Sequence, residues 1–173
     1  MRLAYDEGVA HPTNTQFAVA VHVLTLLGGA PEQVLSSELL AGSVGANPVH
    51  VRRVLGALRR AGLVTSRPGV HGGWQLVRAA DTLTLGDIWR AVQGDDPLLG
   101  LHGAAPACIV GQRIQHALSH VDRRAARAVE QELAHTTIGD LARDTRAREL
   151  EAPPTSPQGA RQHRAVPELA SRR

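Results

Sequence analysis

Across residues 47–78 the chain carries six arginines and no acidic residue. The same stretch is punctuated as a helix, a turn and a strand pair, which leaves few folds open. Asn47-Pro48 starts a helix: a capping side chain followed by proline at the first helical position, where no amide hydrogen is missed. Val51, Val54, Leu55 and Leu58 recur at helical spacing and mark its buried side. Gly62 stops it. Residues 63–66 (LVTS) read as a strand, residues 68–73 as a flexible hairpin tip, and residues 74–77 (WQLV) as the returning strand. Upstream, Ser36 or Ser37 caps a short helix over residues 38–44, with Glu38 in the first turn where the helix dipole favours an acid. Gly45-Ala46 makes a tight turn between the two helices. Two helices joined by such a turn, then a basic hairpin, predict a winged helix-turn-helix in a mainly α (α+β) chain.

Charge gives this unit a partner. Residues 47–78 net +6, whereas the 46 residues before them net −3, so the overall +3 hides a concentrated cationic surface. Surface helices normally mix signs; a one-signed block points to double-stranded DNA. In a helix-turn-helix the second helix enters the major groove and its N-terminal residues meet base edges. Here that helix starts at Asn47 and turns Val49, His50, Arg52, Arg53, Arg59 and Arg60 outward. Arg52 or Arg53 is placed to reach guanine O6 and N7 bidentately, and Val49 to touch a thymine methyl. Arg59 and Arg60, at the far end, should meet phosphates. On the wing, Arg67 precedes the turn and His71 sits at its tip, where a thin Gly-rich hairpin can enter a minor groove.

The remaining chain organises around this unit. Phe17, Tyr5, Trp74 and Trp89 are the only aromatics, so the core must be Leu, Val, Ile and Ala. Thr13 or Asn14 caps a first helix to about residue 27, with Phe17, Ala20, Val21, Leu24 and Leu27 inward. Residues 84–87 (TLGD) look like a capping box for a helix to about residue 93. A Gly/Pro-rich loop follows, then a long helix over about 108–135 with Val110, Ile114, Leu118, Val121, Ala125, Val129 and Leu133 at three- and four-residue steps, as in a helix-pairing seam. Residues 137–140 (TIGD) cap a terminal turn around Leu141. Beyond residue 143 the composition predicts disorder. The expected organisation is thus a 1–12 extension, a 13–93 DNA-binding domain, a 94–107 sensor-type loop, a 108–142 dimerisation helix with its terminal turn, and a 143–173 basic tail.

Several classes are disfavoured. One cysteine, Cys108, excludes an intrachain disulfide and suggests a reducing compartment. No apolar run reaches the ~18 residues of a membrane helix, and the apolar stretch 17–30 follows Asp6 and Glu7 rather than a positive leader, so a cytoplasmic protein is expected. No nucleophile–base–acid order, paired carboxylate or metal constellation supports an enzyme. His116 and His120 have a metal pair's spacing but share their stripe with Arg113, Arg123 and Arg127, so a solvated face is the better reading and no metal or cofactor is expected. Cys108 falls near the start of the long helix, where the dipole favours an anionic, reactive sulfur; it is either a redox sensor or a packed, idle thiol. The alternative function is a winged-helix module that binds protein instead of DNA, which would carry a neutral or mixed second helix.

The runs NTQFAVAVHVLTLL, SSELLAGSVGANPVHVRRVLGALRRAGLVTSRPGVHGGWQLVR and TLGDIWRAV, with PACIVGQRIQ and TTIGDL, resemble the Rrf-two family of bacterial transcriptional regulators over about residues 13–141. The resemblance implies a homodimeric winged-helix regulator, commonly a repressor, with a long helix crossing its partner through Ile114, Leu118, Val121, Ala125 and Val129. It implies base reading at Val49, Arg52 and Arg53 and a wing around Arg67 in a minor groove. Well-known members hold an iron–sulfur cluster through three cysteines in the loop after the wing domain. The matching loop here has Cys108 alone, so the chain resembles the branch without a cluster, and its signal is expected to be a thiol event or a small-molecule effector.

Overall fold

The computed structural model describes residues 15–69, 72–94, 96–99, 105 and 107–151. The elements run α1 (Thr15–Gly29), α2 (Ser37–Val44), α3 (Pro48–Arg60), β1 (Val64–Arg67), β2 (Gly73–Leu76), a short 3-10 turn (Ala80–Thr82), α4 (Leu85–Gln93), α5 (Ile109–Leu133) and α6 (Ile138–Glu151). The expected caps of α1, Thr13 and Asn14, lie outside the described residues.

α1 is the hub. Val19, Ala20, Val23, Leu24 and Leu27 are buried against Leu40 of α2, Val51, Val54, Leu55 and Leu58 of α3, Ile88 of α4 and Ile138 of α6. Of the expected stripe, Ala20, Leu24 and Leu27 are buried, and Phe17 and Val21 are half-buried against the core. Phe17 meets Trp89 edge to face, ring centroids 5.5 Å apart, so half of the chain's few aromatics close one end of the aliphatic core. The four residues expected inside α3 are all buried there.

Local chemistry sets the joints. Ser36 accepts from Leu39 N at 3.2 Å and caps α2. Gly45 follows α2 at φ +65°, a left-handed conformation that a Cβ would penalise, and so turns the chain into α3. β1 and β2 pair antiparallel with Val64 opposite Leu76 and Arg67 opposite Gly73. Leu35 lies on the other side of β2, exchanging hydrogen bonds with Trp74 at 3.1 and 2.8 Å. Gly73 permits that approach, because a Cβ there would stand 2.5 Å from Leu35 O. Thr84 and Asp87 form the expected capping box on α4.

α5 leaves the domain from its C-terminal half. Gly86 of α4 lets the backbones meet, since a Cβ there would lie 3.0 Å from Glu130 O. Arg90 Nε donates to Glu130 at 2.9 Å across the same joint. Midway along α5, the buried Asp122 carboxylate accepts from Leu99 N at 2.6 Å.

One expectation fails. In place of a terminal turn with disorder from residue 143, α6 continues to Glu151. Thr137 and Asp140 cap it reciprocally, at 2.9 and 3.1 Å. Ile138 is fully buried, a contribution of about 2 kcal/mol. Charges read as tail composition instead form helix pairs, Arg143 with the cap residue Asp140 at 2.6 Å and Arg148 with Asp144 at 3.0 Å. Residues 152–173 lie outside the described chain.

Candidate nucleic-acid interface

The interface is built on α3. At ~100° per residue, Val49, Arg52, Arg53, Arg59 and Arg60 share one ~120° sector opposite the buried Val51, Val54, Leu55 and Leu58. All five are exposed, Val49 to 62%. An exposed valine on the first turn of a helix otherwise lined with arginine has no packing role to explain it. Asn47 holds the first turn in place: its Oδ1 accepts from Val49 N at 2.8 Å. Asn47 Oδ1 is therefore committed to the cap, while the exposed Nδ2 keeps its two donor hydrogens.

Arg52 is not a free cation. Its Nη2 donates to Glu38 Oε1 on α2 at 2.8 Å. That hydrogen bond is the main reason the Glu38 carboxyl lies below its ordinary range. The pair stays in solvent, 55% and 67% exposed, so it is weak and exchangeable. Among the described residues no ion pair involves Arg53, Arg59, Arg60 or Arg67. The sixth arginine of the block, Arg78, donates to Asp87 at 2.5 Å and is spent on the start of α4.

His50 corrects the expected outward set. It sits between the exposed and buried sectors, half-buried, with Nε2 shielded from solvent and without a partner among the described residues. The wing brings in Arg67, exposed at the end of β1. His71 lies outside the described residues. Sequence reasoning missed Glu38 as a partner of Arg52, and it missed Leu35 as the brace that positions the wing through Trp74. It also missed Leu39, 55% exposed on the neighbouring α2.

Two further candidates lie away from α3. Cys108 is the N-cap of α5, exposed, its Sγ accepting from Gly111 N at 3.3 Å. Of the proposed seam, Ile114, Leu118 and Val121 are 47%, 38% and 52% exposed, together with Ile109 and Val110, while Ala125 and Val129 are half-buried. No helix of the described residues is long and apolar enough to cross a membrane.

Known proteins share this architecture. Residues 13–144 match the Rrf2 family model, described as an iron-dependent transcriptional regulator. YwnA of Bacillus subtilis (strain 168), named as an HTH-type transcriptional regulator, is 40% identical over 129 residues, 74% of this chain and 95% of that protein. The structure of CymR, the global cysteine regulator of B. subtilis, superimposes with a TM-score of 0.52 at 28% identity, covering 75% of this chain and 94% of that one. T. potens IscR shares the fold at a TM-score of 0.56 and 23% identity, covering 81% and 90%. The family description names iron, and the donor atoms of this chain decide whether a cluster fits. A protein-held iron–sulfur cluster takes four ligands, mostly thiolate. This chain has one cysteine, and no group of three or more His, Cys, Asp or Glu side chains among the described residues is arranged to hold a metal. The donor set does not fit a cluster.

Proposed function

Because the chain belongs to the Rrf-two family of winged helix-turn-helix transcriptional regulators, we propose that it binds its operator as a homodimer through α3 and the wing, without an iron–sulfur cluster, and commonly represses. The observation that carries this reading is the exposed sector of α3, where Val49 and four arginines stand together with no buried purpose. Val49 and Arg53 read bases, Arg52 joins them on leaving Glu38, Arg59 and Arg60 hold phosphates, and Arg67 enters the minor groove. The apolar half of α5, Ile114 to Val121, pairs with the same face of a second copy; half-sites then lie about one helical turn apart, ~34–36 Å. The work is cytoplasmic, and a thiol event at Cys108 or a small effector shifts the dimer.

The test is operator selection from genomic fragments by the full chain, followed by anisotropy titrations of wild type and the Arg52→Ala/Arg53→Ala double variant. The double variant should lose roughly tenfold or more in operator affinity while discriminating less against random duplex. Equal affinities for both duplexes in wild type and variant would sink the base-reading assignment. Sedimentation of Ile114→Asp/Val121→Asp should return a monomer; an unchanged dimer would remove α5 from the interface.

A further inference from the structure

We propose that a cavity between α1 and α6 is a binding site for a small organic monocarboxylate with an apolar body. The cavity measures about 550 Å³, within the size range of small-molecule sites. Leu26 of α1 and Leu35 form one wall, Leu141 and Ala142 of α6 the other, with His22 and Arg146 at its polar margin. No acidic side chain lines it.

The polar groups select the ligand. The hydroxyls of Thr25 and Thr145 donate back to the carbonyls of Val21 and Leu141 at 2.9 and 2.8 Å, so neither is offered to the cavity as a donor. Arg146 places one Nη2 hydrogen on Gly29 O at 3.2 Å, which holds the guanidinium at the end of α1. A guanidinium has five N–H donors in a planar fork, so the rest remain for an anion of matching shape, and a carboxylate fits that fork. Leu26, Leu35, Leu141 and Ala142 make the walls mostly apolar, and the two threonine oxygens remain only as acceptors. An apolar body with one carboxylate satisfies both, whereas a polyanion or a sugar would leave polar groups against Leu26 and Leu141.

The cavity is wired to the proposed DNA face, and this part of the inference rests on the DNA-binding reading. Leu35 is a wall of the cavity and is also hydrogen-bonded on both sides to Trp74 of β2, whose neighbour Gly73 pairs with Arg67. His22 contacts Ser43 Oγ of α2 at 3.4 Å. A ligand that displaces Leu35 or recruits His22 therefore moves the wing and the first helix of the motif together, and so binds the two arrangements unequally.

The experiment titrates the full chain with 3-phenylpropionate and octanoate by calorimetry, with 3-phenylpropanamide as the uncharged control, while fluorescence in a Trp89→Phe background lets Trp74 report on the wing. Saturable binding of at least one carboxylate is expected below ~10 mM, with the amide weaker by roughly tenfold. Arg146→Ala, a surface substitution, should weaken the carboxylate by roughly tenfold and leave the amide unchanged. Ala142→Trp should fill the cavity and abolish both. Absence of saturable binding by either carboxylate in wild type overturns the site. So does binding that is indifferent to Arg146→Ala and Ala142→Trp, which would place the probe on the exposed face of α5. Operator affinity of the ligand-free protein is measured separately: its absence refutes the DNA reading, while carboxylate binding with unchanged operator affinity keeps the site and refutes only its coupling to the wing.

Discussion

Arg52 of α3 donates to Glu38 of α2 at 2.8 Å, tying a proposed base reader to the first helix of the motif. Both side chains are more than half exposed, so the pair contributes little to folding. Its effect falls on binding. A guanidinium engaged by a carboxylate must release it to reach a base, and the carboxylate itself repels phosphate. Glu38→Gln should leave the melting midpoint unchanged and tighten operator binding several-fold at low salt. Titrations at two ionic strengths check it; weaker binding by the variant would mean that Glu38 holds Arg52 in its productive pose.

Arg59 and Arg60 stand at the far end of the same sector, about 12 Å along the helix from Arg52. At that position we propose that they meet backbone rather than base edges. Each alanine substitution should weaken operator and random duplex alike, and should reduce the slope of log affinity against log salt by ~0.9. Unequal losses on the two duplexes would move these arginines into the base-reading set.

Much of this surface is legible from the sequence because one-signed charge and helical period act locally. The α3 core face, the Asn47 cap, the Thr84 capping box and the wing all follow from residues within a few positions of one another. Even His50 was within reach, since the helical wheel alone puts it between the exposed and buried sectors. What the sequence could not give were contacts between elements. Glu38 is fourteen residues from Arg52, and Leu35 meets Trp74 only because Gly73 has no side chain to hold them apart. The second half of α6 was missed for a different reason. Its alternating Asp and Arg have the composition of a disordered tail, and contacts from distant parts of the chain, the buried Ile138, the half-buried Leu141 and the Arg146 bond to Gly29 O, make helical pairing of those charges favourable.

That dependence is measurable. Ile138 is fully buried beneath α1, and a Cβ on Gly28 would stand 3.0 Å from its Cγ2, so little space exists for the neighbourhood to collapse into a void. Ile138→Ala should cost about 2–5 kcal/mol and reduce helical circular dichroism by more than one residue's worth, as the rest of α6 loosens. A loss below about 1 kcal/mol would show that α6 does not depend on this anchor.

The capping boxes make stability depend on pH. Burial pushes the Asp87 carboxyl up, but the Thr84 amide and the Arg78 guanidinium outweigh it and hold it below its ordinary value. The Thr137 hydroxyl, first, and Arg143 do the same for Asp140. A carboxyl depressed in the folded state stabilises it fully above the unfolded value, near 4 for aspartate. That stability is lost as pH falls through the lower folded values. Unfolding midpoints should therefore be flat from neutral pH to about 5 and fall below 4. Asp87→Asn should flatten that acid limb, and Thr84→Ala should cost about 1 kcal/mol at neutral pH. An acid limb unchanged in Asp87→Asn would remove this carboxylate from the account.

Cys108 is exposed where α5 begins, and its sulfur already accepts the Gly111 amide. Oxidation by peroxide converts the thiol to a sulfenic acid and releases water; a second thiol, the partner subunit's Cys108, can then displace that hydroxyl as water and form a disulfide. Either product replaces the cap at the first turn of the proposed dimer helix, so the change is felt along the face that carries Ile114 and Val121. Peroxide should release wild type from its operator, dithiothreitol should restore binding, and Cys108→Ser should bind with and without oxidant alike. The serine keeps an N-cap oxygen, so its reduced-state affinity should match wild type. A Cys108→Ser protein that still responds to peroxide would leave the small-molecule route as the signal, and would turn attention to the cavity beside Arg146.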